Sequence, residues 1–539
     1  MDKDLNMVHC HSDNRMVLIL KLHSKKKEIM KFKKIILAIA ILLTTVGCTE
    51  NFDELEKDPV ALSANPAGQL TFTQLCMSGD GYYQWRANLI YSGGFVQHYS
   101  GAWNQTEYGN KFKKNDDYAT AIWRNGYANE LKNVVDIIDK TSGNPAMVNM
   151  NAVAKIMKVM VAQRLTDLYG DIPYSQAGKG FSQGIVTPKY DTQEEVYTAF
   201  FSELDEAYNQ LNAGGGTVKG DLFYKGDISK WKKLANTLRL RLGMRLSEIK
   251  PAEAEKQVKA ALQNGVFESN LDNCIMRHLD ATFSDNPAAI DFRGNGLAYA
   301  FVGNEHGDHF STLVIDFLKN NGDPRLTMLA TAKTTSALPG KSGQPVQPGE
   351  DLYAGVKPGS FQYEAPGGAT ATSGIQSYYK QKTTPYLHVS YSETQLLLAE
   401  AAYRGWVTGT SAAEYYKKGV EAGIKQLAIY NAPLPSQTDI DAYLNAKPLV
   451  AGTEKQQIGT QLWITYIFNS IEAYSNQRRT GFPQLIPITN PDSETGGVTP
   501  KRLYYPNDEM QKNEVNYLAA LERMGGTNDW LNKVWWDAN

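Results

Sequence analysis

From Ile228 the apolar and aromatic positions fall at Ile228, Trp231, Leu234, Leu238, Leu242 and Leu246, steps of three and four that draw one stripe along a helix. Trp123, Tyr127, Leu131, Val134 and Ile138 repeat the spacing. Comparable periods predict helices over about 151–169, 191–211, 251–264, 391–406, 411–430, 455–475 and 508–522. Between about 266 and 388 the period is lost. "LPGKSGQPVQPGEDLYAGVKPGS" and "APGGATATSG" are rich in Gly, Pro and Ser, and the stretch reads as loop.

The helical runs come as close neighbours: 117–140 with 151–169, 191–211 with 227–248, and 391–406 with 411–430. Short connections make neighbours antiparallel, so the expected fold is mainly α, with stacked tetratricopeptide-like helix pairs and a large irregular, loop-rich insertion. Helix stops punctuate the pattern. In "LTDLYGDIPYSQA" (165–177) Gly170 suits the position just past a helix end, Pro173 forbids continuation, and Ile172 before it is pushed toward extended backbone. Asp167 and Asp171 are the carboxylates a catalytic pair would use here, but no His or metal-ligand set accompanies them, so the turn reads as structural. "QRRTGFP" is a second stop, with Gly481 ending the helix and Pro483 preventing its return. Its Arg478 and Arg479 read as donors to helix-end carbonyls or Glu side chains in preference to an acidic ligand group. Glu400, on the apolar run "LLLAEAA", reads as the partner of an Arg inside the array. Arg239, Arg241 and Arg245 leave the 228–246 stripe, their stems free to cover apolar surface and their heads to meet carboxylates.

The N-terminal part follows a different rule. Residues 1–29 carry no sustained period and read as an over-called start or a leader. From Met30 a basic stretch (Lys31, Lys33, Lys34), an apolar run from Ile35 to Leu43 and small residues up to Gly47 precede Cys48, the order of a secretory signal. The run is shorter than the about 20 residues that span a bilayer, so cleavage is expected after 47. The segment resembles a bacterial lipoprotein signal, in which the Cys is acylated and becomes the new N-terminus; Thr45, where Leu is usual, is the departure. Residues 48–65 then read as a solvated tether and 66–539 as one domain.

The 539-residue chain has 55 Lys and Arg against 57 Asp and Glu and no basic block, which argues against nucleic acid and against electrostatic attachment to anionic lipid. Membrane contact would come from acyl chains on Cys48. Cys76 and Cys274 make no disulfide framework by themselves, and export leaves their pairing open.

"DLYGDIPYSQA", "GDISKWKKLANTLRLRLGMRLS" (226–247), "SYSETQLLLAEAAYRGW" (390–406), "EAYSNQRRTGFPQL" (472–485) and "RLYYPNDEMQKNEVNY" (502–517), in this order behind such a leader, resemble the blocks of SusD/RagB-type nutrient-binding outer-membrane lipoproteins. The match is closest to the subgroup with a "VWWD"-like tail, here Val534 to Asp537. The resemblance implies a non-catalytic receptor on the cell surface that captures an oligosaccharide or a peptide and delivers it to a SusC-like TonB-dependent transporter, without a cofactor. The alternative is a lipid-anchored hydrolase of the same polymer, which would need two carboxylates about 5–10 Å apart in a cleft.

Ligand residues do not follow from that resemblance, so they are sought in the chemistry. Saccharide C–H faces lie on aromatic rings, with amides and charges around them for the hydroxyls. The densest such stretch is 82–118, with Tyr82, Tyr83, Trp85, Trp103 and Tyr108 among Arg86, Gln97, Asn104 and Gln105. Trp103 is expected on an exposed loop as a stacking plane, with Asn104 or Gln105 bonding hydroxyls and Tyr108 flanking. Tyr82, Tyr83 and Trp85 read either as a further part of the platform or as a core face. "GNEHGDH" (303–309), with Glu305, His306, Asp308 and His309, and "NPDSETGG" (490–497), with Asp492 and Glu494, have ligand-type residues but no known cation spacing, and both read as polar loops. "RGNGLAY" has two Gly but no strand before it, so it reads as no phosphate loop.

Overall fold

The computed structural model describes residues 65–280, 291–302, 309–333, 352–361 and 372–539; the leader, the signal segment and Cys48 lie outside the described residues. Helix α1, Pro66–Gly79, starts where the Asn65 side chain accepts the Gly68 N–H at 3.0 Å and Pro66 takes a first-turn position that needs no donor. It packs on α2, Lys132–Thr141, which pairs with α3, Val148–Tyr169. Helix α4, Gln193–Gln210, opens on a capping box between Thr192 and Glu195. It lies between α3 and α5, Ile228–Arg245, and α5 pairs in turn with α6, Pro251–Asn264. After the irregular region come α8, Tyr391–Tyr403, and α9, Ala412–Lys425, the latter opened by a second capping box at Ser411 and Glu414. They are followed by α10, Gln437–Ala446, α11, Glu454–Thr465, α12, Ser470–Thr480, and α13, Glu514–Arg523. Helix α8 packs on both α9 and α11, α11 on α12, and α5 on α8, so the pairs stack into one array.

The stripe that predicted α5 is buried from Trp231 to Leu246, while Ile228 is only half-covered. Three differences from the sequence reading have local causes. The run at 455–475 is two helices, because the chain turns at Tyr466–Asn469, where the Asn88 carboxamide oxygen accepts the Ser470 N–H at 2.7 Å. The run at 508–522 is broken at Asn513, whose amide donates to the Pro188 carbonyl at 2.7 Å. The run at 117–140 is a chain of short pieces, one of them π-helical, Gly126–Leu131.

The stretch from 266 to 388 is not loop throughout. It enters on β3, Cys274–Met276, and leaves on β4, Tyr386–Val389, which pair antiparallel as a two-stranded ribbon. Between them lie three short helices diluted in Gly- and Pro-rich sequence, Gly296–Phe301, the amphipathic α7 (Thr312–Asn320) and Arg325–Leu329. Asn295 caps the first of these by accepting the Leu297 and Ala298 N–H groups, so "RGNGLAY" is a helix start. Cys76 and Cys274 are buried free thiols. Among the described residues no helix is long and apolar enough to cross a membrane.

The turn at 165–177 is a helix stop. Gly170 has φ of +88°, and a Cβ there would meet the Met524 sulfur at 2.9 Å. Ile172 and Pro173 form β1, paired antiparallel with β2, Tyr190–Asp191. Asp171 accepts the Gln193 N–H at 2.9 Å and Arg523 Nε at 2.7 Å, tying the turn to the start of α4 and to α13. Asp167 is fully buried and accepts from Tyr197, Trp536 and Gln163.

Charge inside the array is arranged in alternation. Glu393 takes two bonds from Arg241; Glu472 takes bonds from Arg241, Arg245 (2.7 Å) and Gln163; Arg245 also lies 3.3 Å from Asp167. Arg479 grips Glu400 through two 2.7 Å bonds, with Arg404 on the same carboxylate. Arg478 donates to the Asp167, Tyr474 and Lys501 carbonyls. The Arg and Glu residues of the sequence blocks thus bond to helix ends and to each other.

Acid should loosen this core. Burial works to raise the Glu400 carboxyl, but Arg479 and Arg404 outweigh it and hold it at about 2. Burial lowers His98 to about 3 against the bond to the Trp463 carbonyl, and lowers His278 to about 4 against its bond to Arg293. All three lie below their unfolded values, so the stability they contribute is complete above about pH 6.5 and is lost as pH falls. The His part is lost between about 6.5 and 3, and the Glu400 part between about 4.5 and 2. Burial raises Asp80, Glu130 and Asp171, which act in the opposite sense. The difference between wild type and His98→Gln isolates one contribution: melting curves should show the wild type losing more stability from pH 7 to pH 4 than the variant. Parallel losses would contradict the assignment.

Candidate functional site

Two π-helical segments, Gln84–Ser92 and Gln105–Asn110, build the site by packing against each other. The approach is close enough that a Cβ on Gly109 would meet the Ile90 carbonyl oxygen at 2.1 Å. Such wide turns recur where a chain serves a function at the expense of regular bonding. Between them the chain forms isolated bridges, Tyr99 to Phe310 and Gly101 to Phe361, which bring the irregular region onto this face. The Thr106 hydroxyl fixes the corner, accepting the Gly101 N–H and donating to the Ser360 carbonyl.

Trp103 stands at that corner with 58% of its surface exposed. Its ring is stacked on Phe361, centroids 5.4 Å apart and planes 11° from parallel. Lys111 Nζ lies 5.2 Å from the Phe361 centroid and bonds Glu107 at 3.0 Å. Partial burial works to raise the Glu107 carboxyl, but bonds from Lys113 and Lys111 outweigh it and keep it below its usual value. Asn104, the next residue in the chain, is half-buried. An exposed indole backed by a second ring and a fixed cation is a flat, pre-set apolar plane.

The other expected residues divide. Gln105 is fully buried and its amide donates to the Ile90 and Tyr99 carbonyls, so it supports the backbone under the plane and is withdrawn from the set that would bond a ligand. Tyr83 is core: its hydroxyl accepts from Arg164 and Gln84. Gln97 is also buried, exchanging two bonds with the backbone of Ile486. Tyr108 meets Tyr118 edge-to-face at 5.2 Å, not Trp103. Tyr118 joins it to a second group in which Trp85 lies 5.4 Å from the Tyr118 ring and the Arg86 guanidinium sits over Tyr82 and Tyr118, 5.0 and 5.1 Å from their centroids. Arg86 is held by Asp117 at 2.9 Å. Asp80 carries the start of this group by accepting the Tyr82 and Tyr83 N–H groups; burial pushes its carboxyl up against those two bonds.

Sequence reading missed Phe361 and gave Tyr118 no role. Phe361 sits in a Gly- and Pro-rich stretch without period, and only the long-range bridge at Gly101 brings it to Trp103. Of the two loops with ligand-type residues, 303–308 lies outside the described residues, and His309 is buried with its backbone bridged to Gly374. Asp492 is 3.6 Å from Lys111, a cation already in reach. Among the described residues no group of three His, Cys, Asp or Glu is set to hold a metal ion.

The fold has counterparts. Residues 70–506 match the family model for SusD-like proteins, described as starch-binding and associating with the outer membrane. The chain belongs to the SusD-like family. A solved structure named as a chitin-binding protein is 72% identical, with 88% of this chain and all of that chain covered and a TM-score of 0.82. A SusD-like protein of Bacteroidetes AC2a is 30% identical with a TM-score of 0.79, covering 88% of this chain and 100% of its own. A chitin-binding SusD homologue from Flavobacterium johnsoniae is 26% identical with a TM-score of 0.70, covering 88% and 99%. No curated protein matches. In this SusD-like chain the sequence blocks that carry the resemblance are scaffold: they end α3, form α5 and α8, end α12 and lead into α13, while Trp103 and Phe361 lie outside them.

Proposed function

We propose that the protein is a non-catalytic receptor, held on the outer face of the outer membrane by acyl chains on Cys48, that captures a chitin-type oligosaccharide and delivers it to a SusC-like TonB-dependent transporter. The reading rests above all on the chitin-binding protein that is 72% identical over its whole length. The physical support is the exposed Trp103 ring, already backed by Phe361 and so bound without reorganisation, with the half-buried Asn104 next in the chain to serve hydroxyl or acetamido groups. Tyr108, Tyr82 and Trp85, gathered around Tyr118 and Arg86, offer a second aromatic group on or next to the two π-helical segments. The absence of catalysis is supported by the carboxylates that sequence reading weighed as a pair: Asp167 is fully buried among its donors, and Asp171 is taken up by Gln193 and Arg523.

The anchor is testable separately. Cys48→Ala should abolish incorporation of labelled acyl chains and shift the protein out of the membrane fraction or stall it as precursor. Unchanged labelling and fractionation would remove the anchor. Delivery requires contact with the transporter, so gentle detergent extraction after cross-linking in intact cells should recover the protein with a TonB-dependent barrel. Recovery always alone would contradict that step.

A further inference from the structure

A groove of about 560 Å³ runs between the end of α7, α9, α10, the first half of α11 and the turn after α12. Its floor is built from tyrosines that are fixed from below. Tyr416 and Tyr443 are 4% and 7% exposed, and the Tyr443 hydroxyl donates to Asp323 at 2.8 Å. Asp323 is itself neutralised by the buried Arg325, which also donates to the Gln461 oxygen at 2.8 Å. One wall is Phe317, half-buried and in an edge-to-face contact with Trp463 at 6.0 Å and 85°.

The rim is amide and ammonium. Among the described residues the Gln456 carboxamide and the Lys447 ammonium have no partner. Among the described residues Asn321 and Gln484 use only their N–H groups, on the Phe317 and Gly481 carbonyls, and keep their oxygens free. No carboxylate lines the groove. The volume is within the range of about 300–1,000 Å³ typical of ligand sites, and uncharged donors and acceptors around aromatic rings are the chemistry that recognises a neutral sugar. A charged ligand would meet a different balance: an anion finds one lysine and no second cation, and a cation finds none of the carboxylates it needs.

We propose that this groove is a second carbohydrate site, taking a segment of a neutral oligosaccharide against Phe317 and the Tyr416–Tyr443 floor, with Gln456 and Lys447 donating to it. None of its residues belongs to the Trp103 face, so a longer glycan, or a second one, is held independently of that plane.

The test is protection of Lys447 from acetylation by an amine-reactive ester, read peptide by peptide by mass spectrometry on the purified full chain, with chitohexaose and maltohexaose as separate probes at millimolar concentration. Labelling of Lys447 should slow several-fold with at least one probe while the exposed Lys259 is unaffected. The slowing should persist in Trp103→Ala and be lost in Phe317→Ala. Gln456→Ala, a surface change, should weaken it as well and covers the case in which Phe317→Ala does not fold. No slowing with either probe would overturn the proposal, as would slowing that vanishes in Trp103→Ala and survives both groove variants. Unchanged overall affinity in Trp103→Ala, with Lys447 still protected, would instead count against the Trp103 reading and leave the groove standing.

Discussion

Trp103→Ala is expected to weaken chito-oligosaccharide binding by about 100-fold while leaving the melting temperature almost unchanged. A sugar ring stacked on an indole gains about 1 kcal/mol beyond the area buried, and covering much of an exposed Trp face adds about 1.5–2 kcal/mol. Each 1.4 kcal/mol is a factor of ten in affinity. In the free protein the ring is 58% exposed and its main partner is Phe361, so truncation forfeits one stacked pair, about 1 kcal/mol or less. A core Trp such as Trp231 or Trp463 would behave in the opposite way, costing about 3–5 kcal/mol of stability. Calorimetric titration and a melting curve on the same preparation separate the two patterns. A large loss of stability with affinity intact would move Trp103 to the scaffold.

Glu472→Ala should be the most damaging of the single substitutions in the scaffold. The carboxylate is 2% exposed and shared by Arg245, Arg241 and Gln163, the three coming from α5 and α3. Burial works to raise its pKa, and the two guanidinium groups outweigh that and hold it below its usual value. Removing it leaves Arg245 with Asp167, and Arg241 with Glu393, as their one fixed anionic partner each among the described residues, in a water-excluded interior. Breaking one side of a buried ion pair typically costs about 3–5 kcal/mol. Thermal melts should show a fall of several degrees, with Glu472→Gln intermediate because it keeps an acceptor. A melting temperature within a degree of wild type would show that the alternating charges are not needed to hold α3, α5 and α12 together.

Helix α5 was legible because its 3–4 spacing from Trp231 to Leu246 lies wholly in the core. The stops at Gly170 and Gly481 were legible because positive φ followed by an X–Pro step leaves few alternatives. The break at Tyr466–Asn469 was not, since apolar spacing continues across it and the Asn88 bond that stabilises the new helix start comes from far along the chain. Helix α7 was hidden by composition, a single amphipathic segment inside a Gly- and Pro-rich stretch. At the candidate site, Trp103 stood out as an aromatic residue among amides. The sequence also offered Gln105, as one of those amides, and only burial distinguishes the two: the Trp103 side chain turns out to the surface, and that of Gln105 turns in to bond the Ile90 and Tyr99 carbonyls. Phe361, which stacks on the Trp103 ring, is set by a bridge between segments with no periodic signal.

The central claim, a receptor that binds a chitin-type glycan without cutting it, meets its most direct test in one measurement: titration of chitohexaose into the purified chain, followed by chromatography of the recovered sugar. The account predicts saturable binding that Trp103→Ala weakens by about two orders of magnitude, with the hexamer recovered intact after prolonged incubation. Shorter oligomers with new reducing ends, or no saturable heat, would contradict it.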